Sequence, residues 1–301
     1  MHRRERSARS GCMKHNTERS PAQRRIALCV DDFGLHEGVN GAVMRLAGLG
    51  RINAVSCLVG APAWRSGSQQ LHSLDRERID FGLHLDLTEF PLQAHPRMRL
   101  RDLISRAYAG TLNELQLLGE INAQLDTFEE TLNRMPDYID GHQHVHQLPV
   151  VRDALLRALR MRYPPRRLWL RSTRQARPLG VLPGFLKRSR WKPSLIEALG
   201  SQALTMLARR DGLGQNGHLL GVHDFRANIS GYRRLLAAWL QAASDGDLLL
   251  SHPSLPQEGL RDALLGARIT ECTVLCEAAF CQALALEGIL LAPVSQILAS
   301  A

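Results

Sequence analysis

The 301-residue sequence has no run of about 18 apolar residues, the length an ordinary transmembrane helix needs. No apolar segment follows the basic opening stretch MHRRERSARSGCMKHNTERSPAQRR, so that stretch does not read as a secretory signal. The expectation is a cytoplasmic chain with a disordered basic tail over residues 1–24, ahead of a single domain over 25–301. None of the six cysteines forms a CxxC pair, which removes the usual zinc-ribbon and thioredoxin spacings. Cys29 and Cys57 lie in apolar runs and Cys272, Cys276 and Cys281 in a helical stretch, where they read as small buried thiols; Cys12 lies in the tail. There is no internal repeat and no low-complexity linker. Aromatic residues are scarce, at 5%, and the basic segment 157–192 has only Tyr163, Trp169, Phe185 and Trp191. That argues against a stacking platform for single-stranded nucleic acid.

What is present is ordinary globular material: 45% apolar and 22% charged residues, in a chain long enough for one large α/β core. The net charge of +9 is unevenly spread, with +6 in residues 1–25 and +12 in residues 157–192, which leaves −9 on the remainder. Such segments suit anionic partners, such as a membrane surface or a phosphorylated sugar carrier, and solvated arginine is the plain alternative.

Short apolar runs alternate with amphipathic stretches from end to end. The expected strands cover 25–30, 52–60, 79–87, 137–142, 167–172, 218–224, 247–253 and 288–294. The expected helices cover 36–49, 113–134, 149–162, 194–210, 229–244 and 268–287, each with apolar residues recurring at three and four. Such repeated strand–helix units predict an α/β fold, a distorted TIM-like (β/α) barrel in a single domain. Two connections, 88–112 and 173–217, are long for barrel turns and are candidate lids or binding loops.

On this frame Asp31, Asp32, His84, His142, Arg171, His223 and His252 all fall at carboxyl ends of expected strands, the face where a barrel gathers its site. Alternation along HQHVH, residues 142–146, predicts three imidazoles on one side of an extended segment, an arrangement that points to a ligand. Two histidines and an aspartate form a recurrent set for a catalytic divalent ion, and the chain offers Asp32, His84 and one imidazole of that motif. The neighbouring acid then stands beside the bound water as a candidate base, kept ionised by a nearby cation.

The motifs VDDFG, FGLHLDLTE, YIDGHQHVH and LLLSHP, in that order, resemble the YdjC-like, or ChbG/HpnK, family of carbohydrate deacetylases, over about Arg25 to Gln296. The resemblance implies a distorted barrel that removes N-acetyl groups from amino sugars with one divalent metal. It also implies Asp31 as base, Asp32, His84 and His142 as metal ligands, and His252 as the group that protonates the leaving amine. Arg171 matches an arginine that orients the base or contacts substrate. His144 is assigned to substrate, with orientation of His142 as the alternative for His144 and His146. His223 is open between structure and substrate contact.

Expected partners are an N-acetylated saccharide or glycolipid, a membrane surface met at its inner face through the basic segments, and a second copy in a homodimer; nucleic acid is disfavoured. The ligand set suits Mg²⁺ or Zn²⁺, and also Mn²⁺ or Co²⁺. The alternatives are a metal-dependent phosphoesterase, which would act on phosphate esters, and a non-catalytic basic binding protein, which would bind with strong salt dependence and no metal.

Overall fold

The computed structural model describes residues 23–93, 98–164, 168–176 and 191–300. Most of the two basic segments, including 1–22 and 177–190, therefore lies outside the described residues. Each expected strand region holds a strand: β1 (Arg24–Phe33), β2 (Ala54–Cys57), β3 (Asp80–Leu85), β4 (Tyr138–Gly141), β5 (Trp169–Leu170), β6 (Leu219–Leu220), β7 (Leu248–Ser251) and β8 (Ile289–Leu291). The helices are α1 (Glu37–Gly48), α2 (Trp64–Leu71), α3 (Leu100–Tyr108), α4 (Glu114–Leu132), α5 (Val151–Arg162), α6 (Trp191–Ala198), α7 (Ser201–Arg210), α8 (Ile229–Ala242), α9 (Leu265–Cys276), α10 (Ala278–Leu286) and α11 (Val294–Ala299).

The strands run parallel in the order β5-β4-β3-β2-β1-β7-β6. β8 pairs with the first residues of β1, from Arg24, before β7 takes over at Ala27. Between β5 and β6 the ladder thins to an isolated bridge, Gln175 to Leu219, so the sheet curls into a distorted TIM-like barrel.

The alternation of β1 divides the core. Ile26, Leu28 and Val30 face the helical layer in the large cluster, while Ala27 and Cys29 face the interior with Ala54, Tyr138 and Trp169. The small side chains leave room for Tyr138 to stack on Trp169, ring centroids 4.1 Å apart, which plugs the barrel beneath the carboxyl ends.

Two helical expectations change. The stretch 268–287 is two helices, α9 and α10, bent by 66°. The break is stabilised by Arg51, whose Nη1 donates to the carbonyls of Leu275 and Glu277 at 2.7 Å each, taking up acceptors the turn frees. The stretch 194–210 likewise divides, at Gly200 with φ +129°, into α6 and α7. The connection 88–112 contains a helix, α3, that apolar periodicity alone did not single out. Among the described residues no single helix is long and apolar enough to cross a membrane.

Candidate active site

In a regular strand, neighbours point to opposite faces, so adjacent acids would part company. Asp31 continues the inward set of Ala27 and Cys29. Asp32 escapes the alternation through a left-handed backbone, φ 67°, where the β1–β2 register also shifts between Val30 and Phe33. Both carboxylates thus line one cavity. Gly34 completes the turn at φ +98°, where a Cβ would lie 2.8 Å from the Leu58 carbonyl.

Asp31 is gripped from below by Arg171, whose Nη1 and Nη2 donate to Oδ2 and Oδ1 at 2.7 Å each. Arg171 is completely buried, and its Nη2 also meets Asp140 Oδ2 at 2.7 Å and Ser56 Oγ at 3.0 Å. Burial alone would raise the Asp31 carboxyl. Arg171 first, then His84 and His252, outweigh it and hold Asp31 below the usual carboxylate range.

Asp32, His84 and His142 come together from β1, β3 and the turn after β4, with one ligand atom from each within 4.8 Å of the others. Asp32 Oδ1 lies 3.0 Å from His142 Nδ1 and 3.5 Å from His84 Nε2, and Arg268 Nη2 donates to Asp32 Oδ2 at 2.8 Å. On its far side His84 Nδ1 donates to Asp140 Oδ1 at 2.7 Å, which leaves Nε2 facing Asp32. Burial pushes the His84 imidazole down, but Asp140, Asp31 and Asp32 push it up to about 9. His142 moves in the same direction, burial being outweighed by Asp32 and Glu89. The pocket therefore favours positive charge between these groups, and one oxygen and two imidazoles converge there, so the residues fit a divalent ion.

The segment HQHVH is not extended. It forms a tight 3₁₀ turn, His142–Gln147, with left-handed Gln143 (φ 52°) and His144 (φ 61°), so the expected common face is lost. His142 and His144 line the cavity, whereas His146 is buried behind, its Nε2 3.0 Å from the Arg171 carbonyl. Gly141 makes the turn feasible, since a Cβ there would lie 2.8 Å from the His146 nitrogen. His144 Nδ1 is buried without a hydrogen-bond partner, and burial pushes that imidazole down to about 3.

Across the cavity, His252 Nε2 stands 4.0 Å from Asp31 Oδ2. Burial lowers its pKa against the opposing pull of Asp32, Asp31 and Glu271. Its backbone nitrogen donates to Glu271 Oε2 at 2.7 Å, and His223 Nε2 donates to Glu271 Oε1 at 2.9 Å. His223 Nδ1 accepts from the Phe225 nitrogen, so its tautomer is fixed by the fold. Burial raises the Glu271 carboxyl, yet His223 and His252 bring it below its ordinary value. Arg268 and Glu271, three residues apart on α9, thus hold the two halves of the site from one helix.

The structure brings Asp31, Asp32, His84, His142, His144, His223 and His252 to one cavity of about 740 Å³ and leaves Arg171 beneath it. Asp140, Ser56, Arg268 and Glu271 were not singled out from sequence. Asp140 had a signal, since it shares the inward face of β4 with Tyr138. Arg268 and Glu271 had none: Arg268 lies 236 residues from Asp32, and Glu271 lies 19 and 48 residues from His252 and His223.

The chain is 31% identical to a carbohydrate deacetylase of Danio rerio over 153 residues, 45% of this chain and 46% of that protein. It is 29% identical to a chitooligosaccharide deacetylase of Yersinia pestis over 128 residues, 40% of this chain and 50% of that one. The chain spans about half the length of the curated relatives it matches. Among solved structures, a putative cellobiose-phosphate cleavage protein from Enterococcus faecalis V583 aligns at TM-score 0.67 and 17% identity, covering 92% of this chain and 99% of that one. A peptidoglycan N-acetylglucosamine deacetylase aligns at TM-score 0.52 and 10% identity, covering 92% and 88%. Both are likenesses of fold. The family described as YdjC-like protein matches residues 25–286, with the paired acids, His84, the HQHVH turn and His252 all inside the match, and the chain belongs to that family.

Proposed function

We propose that this protein is a metal-dependent carbohydrate N-deacetylase, acting on an N-acetylated saccharide. The observation that carries the proposal is Asp31, ionised by a buried arginine, between the Asp32–His84–His142 group and His252 at 4.0 Å. The names of the curated relatives support the substrate class.

A divalent ion held by Asp32, His84 and His142 would supply Lewis acidity, lowering the pKa of water and polarising a carbonyl. Asp31 accepts the proton of the attacking water, and Arg171, as a positioning residue, fixes both carboxylate oxygens for that role. His252 delivers a proton to the amide nitrogen, because an amine anion is too poor a leaving group to depart unprotonated. Its lowered pKa makes the protonated ring a stronger acid, and Asp31 is the neighbour that supplies the proton. His144, which lines the cavity wall, is assigned to substrate contact. Asp140 orients His84 by its charged hydrogen bond. Zinc, magnesium, manganese and cobalt all suit this donor set.

The test is acetate release from N-acetylglucosamine-containing oligosaccharides by metal-reconstituted protein beside its Asp31→Asn variant. The variant should keep its metal and lose about 10²–10⁴-fold in turnover. A fully active variant would remove Asp31 from the role of base.

A further inference from the structure

Beside the aliphatic side chains that α3 and α6 give the cavity wall, among them Ile104 and Leu195, the lining holds Glu89, an acid of the FGLHLDLTE motif that the proposed reaction leaves unused. Glu89 sits in the loop after β3, and buried polar groups shape that loop. Asp86 accepts from the Thr88 nitrogen at 2.7 Å, from the Thr88 hydroxyl at 2.8 Å, and from the Glu89 and Phe90 nitrogens at 3.1 and 2.6 Å. From α4, Gln124 brackets Asp86, accepting from its nitrogen at 3.0 Å and donating to its carbonyl at 2.6 Å. Glu120, one turn earlier, accepts from the Leu92 and Gln93 nitrogens at 2.7 Å each. Asp86, Glu120 and Gln124 are all buried. Two acids and an amide buried under one short loop are costly unless each is hydrogen-bonded, and satisfied in this way they hold the loop in one shape.

That shape brings Glu89 Oε1 to 3.4 Å from His142 Nε2. Among the described residues no hydrogen bond reaches this ring nitrogen, and it is shielded from solvent. Gln143 Nε2, from the left-handed turn, donates to the same Glu89 oxygen at 3.2 Å. The two imidazoles of the metal group therefore present opposite nitrogens. His84, on the regular strand β3, turns Nε2 to Asp32 and Nδ1 to Asp140. His142, which opens the 3₁₀ turn, turns Nδ1 to Asp32 and Nε2 to Glu89. We propose that Glu89 is a positioning residue for His142: its carboxylate keeps the ring proton on Nε2 and leaves Nδ1 as the nitrogen that takes the divalent ion. A ring nitrogen that carries a proton has no lone pair for a metal, so the partner of one nitrogen selects the other. The inference rests on Asp32, His84 and His142 as the metal ligands of the proposed deacetylase. The Glu89 side chain is 43% exposed whereas Asp140 is fully buried, so water screens Glu89 and its effect is the weaker of the two.

The experiment has two readouts on the full-length protein. Long-range proton–nitrogen correlation spectra of the zinc-loaded wild type, with isotope-labelled histidine, show which nitrogen of each ring holds metal and which holds the proton; the His142 signals are identified by their absence in His142→Gln. The expected result is metal on Nδ1 and a proton on Nε2 for His142, and the reverse for His84. Calorimetric titration of the metal-free protein with Zn²⁺ should find Glu89→Ala about tenfold weaker than the wild type, with part of the loss recovered in Glu89→Gln, which keeps an acceptor oxygen. Thermal melting without metal checks the fold of both variants, and if either melts early the wild-type spectra alone decide. Metal on Nε2 of His142, or unchanged zinc affinity in a folded Glu89→Ala, overturns the inference. A raised KM for a soluble chitooligosaccharide at unchanged zinc affinity overturns it too, by making Glu89 a substrate contact. Zinc that reaches neither ring overturns the ligand assignment and the inference with it. Absence of acetate from a protein that binds zinc through these two nitrogens removes the deacetylase reading and leaves the role of Glu89 standing.

Discussion

Both ends of the barrel bury carboxylates, and the two ends treat them in opposite ways. At the carboxyl ends of the strands Asp31, Asp32 and Asp140 are all held below the ordinary carboxylate range. At the amino ends Asp80 is raised and Asp137 is pushed up to about 6, burial being the leading cause in each. Burial acts upward on all five groups. What reverses the outcome is a buried cation: Arg171 for Asp31 and Asp140, Arg268 for Asp32. Asp80 instead accepts from neutral donors, Trp169 Nε1 and the Ser295 nitrogen at 3.0 Å each, and ties β3 to β5 and α11. Asp137 accepts from the Phe81 nitrogen at 2.8 Å and meets Arg134, a partly exposed guanidinium that does not offset its burial. One end is thus built to keep charge, and the other uses acids as structural acceptors.

Removing the cation should erase the difference. Arg171→Met leaves Asp31 and Asp140 buried without it, so unfolding in urea should show a loss of about 3–5 kcal/mol, together with loss of turnover. Stability within about 1 kcal/mol of the wild type would mean that Arg171 does not set the contrast. A smaller effect isolates the metal-facing side. Asp140→Asn keeps an oxygen for His84 but removes its charge, and calorimetric titration should find divalent-metal affinity about 10–100-fold weaker. Unchanged affinity would place Asp140 with the structural acids.

The smallest effect tests the amino end. The folded-state value of Asp137, about 6, lies above its unfolded value, so the folded chain binds that proton more tightly. Its stabilising contribution is complete below about pH 4 and is lost as pH rises through about 6. The unfolding free energy of wild type minus Asp137→Asn should therefore fall between pH 4.5 and pH 7, as read from denaturant midpoints at roughly those two values. A difference that rises with pH would give Asp137 the sign of the carboxyl-end acids.

Much of the site was legible because the barrel has a rule of position. A polar residue closing an apolar run lies at the carboxyl end of a strand, and Asp31, His84, His142 and His252 all obey it. The YdjC-like motifs ordered them further. Periodicity failed where local backbone torsions departed from the regular strand. HQHVH looked like an extended segment with three equivalent imidazoles, and two left-handed residues sent His146 behind the site instead. α9 is apolar on both sides of Arg268 and Glu271, and nothing local marks those two as partners of Asp32, His223 and His252.

The sequence by itself determined the succession of strands and helices and the end of the barrel at which the acids and imidazoles gather. Both follow from hydrophobic period and from the direction of parallel strands. Only the tertiary structure decided that Asp31 and Asp32 share one cavity, that Arg171 and Arg268 keep them charged, and that α3 and α6 wall it with aliphatic side chains. Those outcomes depend on a single left-handed residue and on side-chain contacts that span as many as 236 positions, as from Arg268 to Asp32, and neither leaves a periodic trace in the chain.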